Sequence, residues 1–267
     1  MNAVMKPKRQ LPRSTQKNGT LRFDEDSFGQ ELWAAYNGQQ VCEIVERDDG
    51  YFSSRPIFGV YFSEFKDWPS IEQKAMKFVR GKVLDIGCGA GRHSLYLQAR
   101  GFDVNSIDNS PLAVKVCKLR GLRKVKLMSL EQIDFSPGTF DTILMLGGNF
   151  SLLGNPSKAK KILAKLRKIS SKNAVLIAET RDPYKTENPL HLQYHKQNRA
   201  ERKLSGQSRI RVRHEKTVTR WIEWMILSKE EMKQLLEGTG WKVRKFIENE
   251  GTSYVAIISK TNLAPRN

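Results

Sequence analysis

The chain has 267 residues, with 46 Lys+Arg against 28 Asp+Glu, a net charge of +18 and 39% hydrophobic residues. That apolar share, with 12 Phe, 7 Tyr and 5 Trp, excludes a disordered polybasic chain, and no apolar run nears the roughly 18 residues of a membrane span. Three scattered cysteines without a Cys-x-x-Cys pair exclude a disulfide scaffold and leave no metal site expected; with no apolar stretch at the N-terminus, the expected compartment is the cytoplasm.

Taken in order, residues 1–20 carry five basic residues, no acid and two prolines, which predicts a flexible basic tail. Residues 21–50 reverse the sign, with eight acids against Arg22 and Arg47. Segment 21–80 is expected to form an N-terminal helical cap, with helices over 28–46 and 70–80. From 81 to 262 the pattern alternates: KVLDIG (82–87) as a buried strand, a helix over 90–100, DVNSID (103–108) as a strand, and a helix opened by Ser110-Pro111 in N-cap and N1 order. Strands follow at 124–129 and 140–146, then a helix at 157–171 and a strand at 174–180. This predicts a doubly wound α/β fold with a mostly parallel sheet. Residues 181–227 depart from it. They read as a polar, irregular stretch to 206, then two antiparallel strands, 209–213 and 217–228. Ser228 with Glu231 predicts a capping box on a helix at 229–237, and 241–248 and 252–260 close the chain as a strand pair.

The informative stretch is VLDIGCGAGRHSLYLQARGFDVNSID, 83–108. An apolar strand runs into Gly87-Cys88-Gly89-Ala90-Gly91 and a helix begins at once. Glycines there permit a tight turn and close approach of a ligand, and the helix start offers free N–H groups to an anion. Asp108 ends the next strand, where a carboxylate can accept two hydrogen bonds from a ribose diol. A dinucleotide fingerprint would read GxGxxG; here the third position is Arg92, the glycines read GxGxG, and Asp85 stands two residues before the first.

In those residues the sequence resembles motif I of the class I S-adenosylmethionine-dependent methyltransferases. The resemblance implies a seven-stranded sheet with an antiparallel last strand, S-adenosyl-L-methionine as cofactor and S-adenosyl-L-homocysteine as product. By that likeness Asp85, Gly87, Cys88, Gly89, Gly91 and Arg92 form the loop around the cofactor's methionine part. Asp108 takes the ribose hydroxyls, and Asn109 lies beside the adenine. Ser129 and Leu130 match the adenine edge, and Leu146 and Gly147 end the fourth strand beside the transferable methyl. The loop LGGNFSLL lacks the prolines of the Asn-Pro-Pro-aromatic motif used on nucleic-acid bases, and is similar to loops of small-molecule methyltransferases.

Acceptor-side candidates come from three segments. His93 either serves as a base or faces the cofactor carboxylate, or is only an early-turn polar residue. Tyr61 is a candidate catalytic residue or cofactor lid. Asp49 and Tyr51 precede the core, where this class folds over its site, and Asn149 follows the fourth strand. Arg211 and Arg213, with Arg209, share one face of the predicted strand. They meet either a substrate anion or the acids of 21–50. His191 and His195, four apart, lack further metal ligands. The expected activity is methyl transfer to a small anionic metabolite. Two alternatives stay open: an RNA methyltransferase using the basic surface, and a cofactor-binding protein without transfer activity. A small-molecule partner is expected, nucleic acid is open, and no membrane partner is expected.

Overall fold

In the computed structural model, residues 20–261 are described. The elements before the core are α1 (Ser27–Tyr36), β1 (Cys42–Arg47), β2 (Phe52–Pro56), α2 (Ile57–Tyr61) and α3 (Ser70–Ala75). The core then runs β3 (Val83–Ile86), α4 (Arg92–Ala99), β4 (Val104–Asp108), α5 (Pro111–Leu119), β5 (Val125–Leu127), β6 (Phe140–Met145), α6 (Pro156–Ile169) and β7 (Ser170–Arg181). After it come α7 (Pro189–Ala200), β8 (Gln207–His214), β9 (Thr217–Val218), β10 (Ile222–Met225), α8 (Lys229–Leu236), β11 (Trp241–Glu248) and β12 (Ser253–Lys260).

The main sheet has seven strands in the order β11-β12-β7-β6-β3-β4-β5. The five strands from β7 to β5 pair in parallel, whereas β12 is antiparallel to both β7 and β11. This is the class I arrangement expected from the sequence. Buried on both faces, β3 and β6 read as apolar runs rather than alternating ones. The stripe Ile162, Leu163, Leu166 and Ile169 of α6 packs with Phe140, Leu176 and Trp241 on one side of the sheet. Ile71, Ala75 and Leu97 pack with Val83, Val175 and Ile177 on the other. The two helix starts read from the sequence are built as expected. Ser110 accepts from the Ala113 amide with Pro111 at N1, and Ser228 and Glu231 bond reciprocally.

The N-terminal region differs from the expected helical cap. One helix over 28–46 is replaced by α1, which stops at Tyr36, and by strand β1. Asn37-Gly38 ends the helix with Gly38 at φ 86°, and the following VCEIVE run is β-branched and alternating. The second predicted helix, 70–80, is α3 followed by a 3-10 turn, Met76–Phe78. Segment 181–206, read as irregular, contains α7, capped by Asn188 with Pro189 at N1. Strands β1 and β2 join the insert strands in a second, antiparallel sheet, β10-β8-β1-β2, with β9 also on β8. Cap and insert are thus one layer. Of the expected basic tail, 1–20, only Thr20 lies within the described residues.

One buried carboxylate fastens this layer to the core. Asp26, fully buried, caps α1 by accepting from the Gly29 amide at 3.0 Å. It also accepts from the Ser110 hydroxyl at 2.8 Å and the Leu112 amide at 3.1 Å at the start of α5. Gly29 allows this approach: a Cβ there would lie 2.3 Å from Asp26 and Ser110 oxygens. Asp26→Ala should therefore uncap two helix starts and destabilise the protein by about 2 kcal/mol or more, since one lost cap costs roughly 0.5–2 kcal/mol. Urea unfolding checks this; a change below about 0.5 kcal/mol would show that the two caps are not coupled to stability.

Candidate functional site

The main sheet's strands β3 and β4 end side by side, and the chain leaves each through residues that bind the other. Gly87, Gly89 and Gly91 sit at φ 71°, 55° and 81°, left-handed values that a side chain disfavours. These turns carry the backbone from Ile86 directly into α4. The Gly87 and Cys88 amides donate to the Ile107 carbonyl at 2.9 and 3.2 Å. The Gly89 amide donates to Asp108 Oδ2 at 2.8 Å, and the Ser110 amide to Asp108 Oδ1 at 3.0 Å. Burial, reinforced by the nearby Asp26 and Asp85 carboxyls, pushes Asp108 up to about 7 against these two hydrogen bonds. Asp85 is buried below the loop, accepts from Ser94 Oγ at 2.6 Å and is raised by desolvation. Cys88 is buried with its sulfur 3.8 Å from Cys117, whose thiol meets the Gly89 carbonyl at 3.1 Å.

Several expected site residues line this end of the sheet. Asn109 is exposed and Ser129 is buried, while Leu146 is buried and Gly147 exposed after β6. Asn149, expected to meet substrate, instead clasps the glycine loop: its Nδ2 donates to the Ile86 and Gly87 carbonyls at 3.0 and 2.8 Å. The Tyr61 ring covers Gly89 so closely that a Cβ on that glycine would lie 3.4 Å from the ring. Its hydroxyl turns away, donating to Glu43 at 3.0 Å and accepting from Arg55 at 2.6 Å. Tyr61 is thereby placed as a lid on the loop, with its hydroxyl already engaged.

Arg92 and His93 are not open groups either. Arg92 pairs with Glu72 of α3 at 2.6 Å, and His93 Nε2 meets the other Glu72 oxygen at 2.9 Å, its ring edge-on to Trp68. The Glu72 charge in turn acts on the buried carboxyl of Glu179. Glu179 Oε2 accepts from the Gly147 amide at 2.7 Å. Burial and the Glu72 charge push Glu179 up to about 8, while His93 and Arg92 hold Glu72 below its ordinary value despite burial. Sequence reading missed Glu179. The signal was present as an acid ending an apolar strand, the same feature that marks Asp108.

The acceptor-side arginines resolve the alternative left open for them. Arg211 bonds Glu46 through two 2.8 Å contacts and Arg213 pairs with the same carboxylate. These ion pairs pull Glu46 down to about 2. The two arginines therefore meet the acids of 21–50 rather than a free anion site. Asp49 is held by Arg47 at 2.8 Å. Tyr51 packs edge-on against His191 of α7, centroids 4.9 Å apart. His191 is lowered by burial and by the charges of Arg47 and Arg181. The side chain of Arg181, exposed at the end of β7, makes no hydrogen bond or ion pair among the described residues. No group of three or more His, Cys, Asp or Glu able to hold a metal occurs among the described residues.

Residues 83–173 match the family model described as a methyltransferase domain. The glycine/sarcosine N-methyltransferase of Parasynechococcus marenigrum is 31% identical over 106 residues, 38% of each chain. That of Halorhodospira halochloris is 27% identical over 152 residues, 51% of this chain and 57% of the relative. The matches thus span about two fifths to under three fifths of those relatives' length. Among solved structures, a methyltransferase from Bacteroides fragilis in complex with S-adenosyl-L-homocysteine superposes with TM-score 0.78 at 23% identity. The superposition covers 91% of this chain and 98% of that one, and it establishes the shared fold.

The buried acids make stability pH-dependent with a definite sign. Glu31 of α1 is fully buried, and desolvation with the Glu43 charge raises it to about 9. Asp108, Glu179 and Glu31 keep protons to about 7, 8 and 9 when folded, whereas unfolded carboxyls release theirs near pH ~4. The folded state binds more protons across that window, so stability falls as pH rises through it. Urea unfolding between about pH 6 and 9 should show this decline, and Glu31→Gln should make it shallower; an unchanged slope would contradict the assignment.

Proposed function

We infer that this chain is a class I S-adenosylmethionine-dependent methyltransferase, a reading its fold and its methyltransferase-domain match support, and that it methylates the nitrogen of a small amine that bears a carboxylate. The residues present suit the cofactor. A Cβ at Gly147, after β6, would meet no atom within 4 Å, which leaves room for a ligand there, whereas Gly87 is kept bare by Asn149 Nδ2, 2.7 Å from where its Cβ would stand. Gly87, Gly89 and Gly91 are proposed to hold the methionine part, Asp108 the ribose hydroxyls, and Asn109, Ser129 and Leu130 the adenine. Leu146 and Gly147 are proposed to flank the methyl group. When bound, the cofactor supplies an electrophilic methyl on a sulfonium. The protein's part is to hold the acceptor nitrogen in line with it at about 3–3.5 Å.

The observation that carries the substrate class is Arg181. A guanidinium is best satisfied by an anionic partner, and this one, exposed and with no hydrogen bond or ion pair among the described residues, sits at the carboxyl edge of the sheet, where α/β folds bind ligands. Tyr51 and His191 stand as its proposed neighbours in the acceptor pocket. The naming of the two relatives as glycine/sarcosine N-methyltransferases supports a free amino acid as acceptor. An RNA substrate is less well supported, because Arg211 and Arg213 are both engaged with the Glu46 carboxylate. Labelled-methyl transfer tests the reading with glycine, sarcosine, their methyl esters and RNA. Free amino acids should accept label, their esters poorly. Arg181→Ala should lose about 30-fold or more in kcat/KM without changing cofactor affinity. Transfer to RNA and to none of the amino acids would contradict it.

A further inference from the structure

Glu179 and Arg181 are two residues apart on β7, so their side chains leave the same face of the sheet about 7 Å apart along the strand. One is an acid and the other a base whose side chain has no hydrogen bond or ion pair among the described residues, and that spacing suits the amino and carboxylate ends of a small zwitterion. Resting on the methyltransferase reading, we propose that Glu179 binds the acceptor's amino group and takes up the proton that this nitrogen must lose before it attacks the methyl carbon.

The surroundings of Glu179 are arranged for that task from each packed element. From the loop after β6, the Gly147 amide fixes Oε2 at 2.7 Å. From α3 comes the Glu72 carboxylate, whose negative charge raises the proton affinity of Glu179 toward that of an amine. From α4 come Arg92 at 2.6 Å and His93 at 2.9 Å, both on Glu72, which keep that neighbour ionised. From β12 the register partner is Val255, which carries no charge. On the strand itself the other charges are Arg181, two residues on, and Lys172 near its start. Glu72 is a positioning residue, and His93 acts one step further back, in place of the base role first considered for it.

The step balances without any further reactant. An ammonium R–NH3+ binds the ionised Glu179 and passes one proton to Oε1, giving R–NH2 and the neutral acid. The nitrogen lone pair then forms the N–CH3 bond as the C–S bond breaks. Its electron pair returns to sulfur, leaving a neutral thioether and a protonated methylamine product. Glu179 releases its proton to water after the products leave.

Glu179→Gln tests this, because its amide oxygen can still accept from Gly147. Glycine is the probe, with methyl transfer from S-adenosylmethionine followed from about pH 6 to 9.5. For the wild type, kcat should rise with pH and level off above about 8, where Glu179 is ionised. Glu179→Gln should lose about 100-fold or more in kcat and the rising limb, with cofactor affinity kept within about threefold. Glu72→Gln should move the limb to lower pH. A second readout needs no turnover. Glycine binding to the S-adenosylhomocysteine complex at about pH 7, in buffers of different ionisation enthalpy, should release close to one proton from the wild type and none from Glu179→Gln. An unchanged rate and pH profile in Glu179→Gln overturns the role of Glu179 and leaves the methyltransferase reading standing. A wild type that binds the cofactor but methylates no amine overturns both.

Discussion

The 2.8 Å bond from the Gly89 amide to Asp108 is the contact on which the site depends. A buried carboxylate is costly unless donors surround it, and here the donors are two backbone amides, those of Gly89 and Ser110. Asp108 therefore fixes the ends of β3 and β4 against each other, and the glycines must adopt left-handed turns to present the Gly89 amide. Asn149 holds the same loop from the β6 side. The loop is thus held from neighbouring strand ends before any ligand arrives, which lowers the ordering cost of binding.

Around that contact the molecule collects acids at the carboxyl edge of the sheet. Asp85, Asp108 and Glu179 end or nearly end β3, β4 and β7, and each is held above its ordinary carboxylate value by burial. Raised proton affinity in such groups eases the repulsion that full ionisation at close quarters would bring. The cost appears as stability that declines toward alkaline pH. The net charge of +18 does not describe this region. Much of the basic excess lies elsewhere, and part of it, at Arg211 and Arg213, is used internally to pair the insert with β1 through Glu46.

The nucleotide-binding half of the fold was legible because its signals are local. Gly87 to Gly91 turn the chain where glycines are written, Ser110-Pro111 starts a helix, and the α6 stripe shows which face is buried. The second sheet was not legible in the same way. Strand β1 owes its place to β8, and Glu46 meets Arg211 across 165 residues, a pairing that no local window contains. An acidic stretch after a helix then reads as more helix, although Asn37-Gly38 marks its stop. The site divides likewise. Asp108 was recognisable by its motif, whereas the role of His93 depends on Glu72, which belongs to a different helix, and that of Glu179 on both. The Tyr61 ring lies over the loop, but its hydroxyl partners, Glu43 and Arg55, come from the strands that sequence alone did not reveal.

The central claim is that the glycine loop and the end of β4 form the cofactor's seat. The most direct measurement is a titration of 15N-labelled protein with S-adenosylhomocysteine, followed amide by amide. The expected result is that the largest shifts fall on Gly87, Gly89, Gly91, Asp108, Asn109 and Leu130, with little change in β8 and β10. Saturable binding that leaves those amides unmoved, or shifts confined to the second sheet, would contradict it.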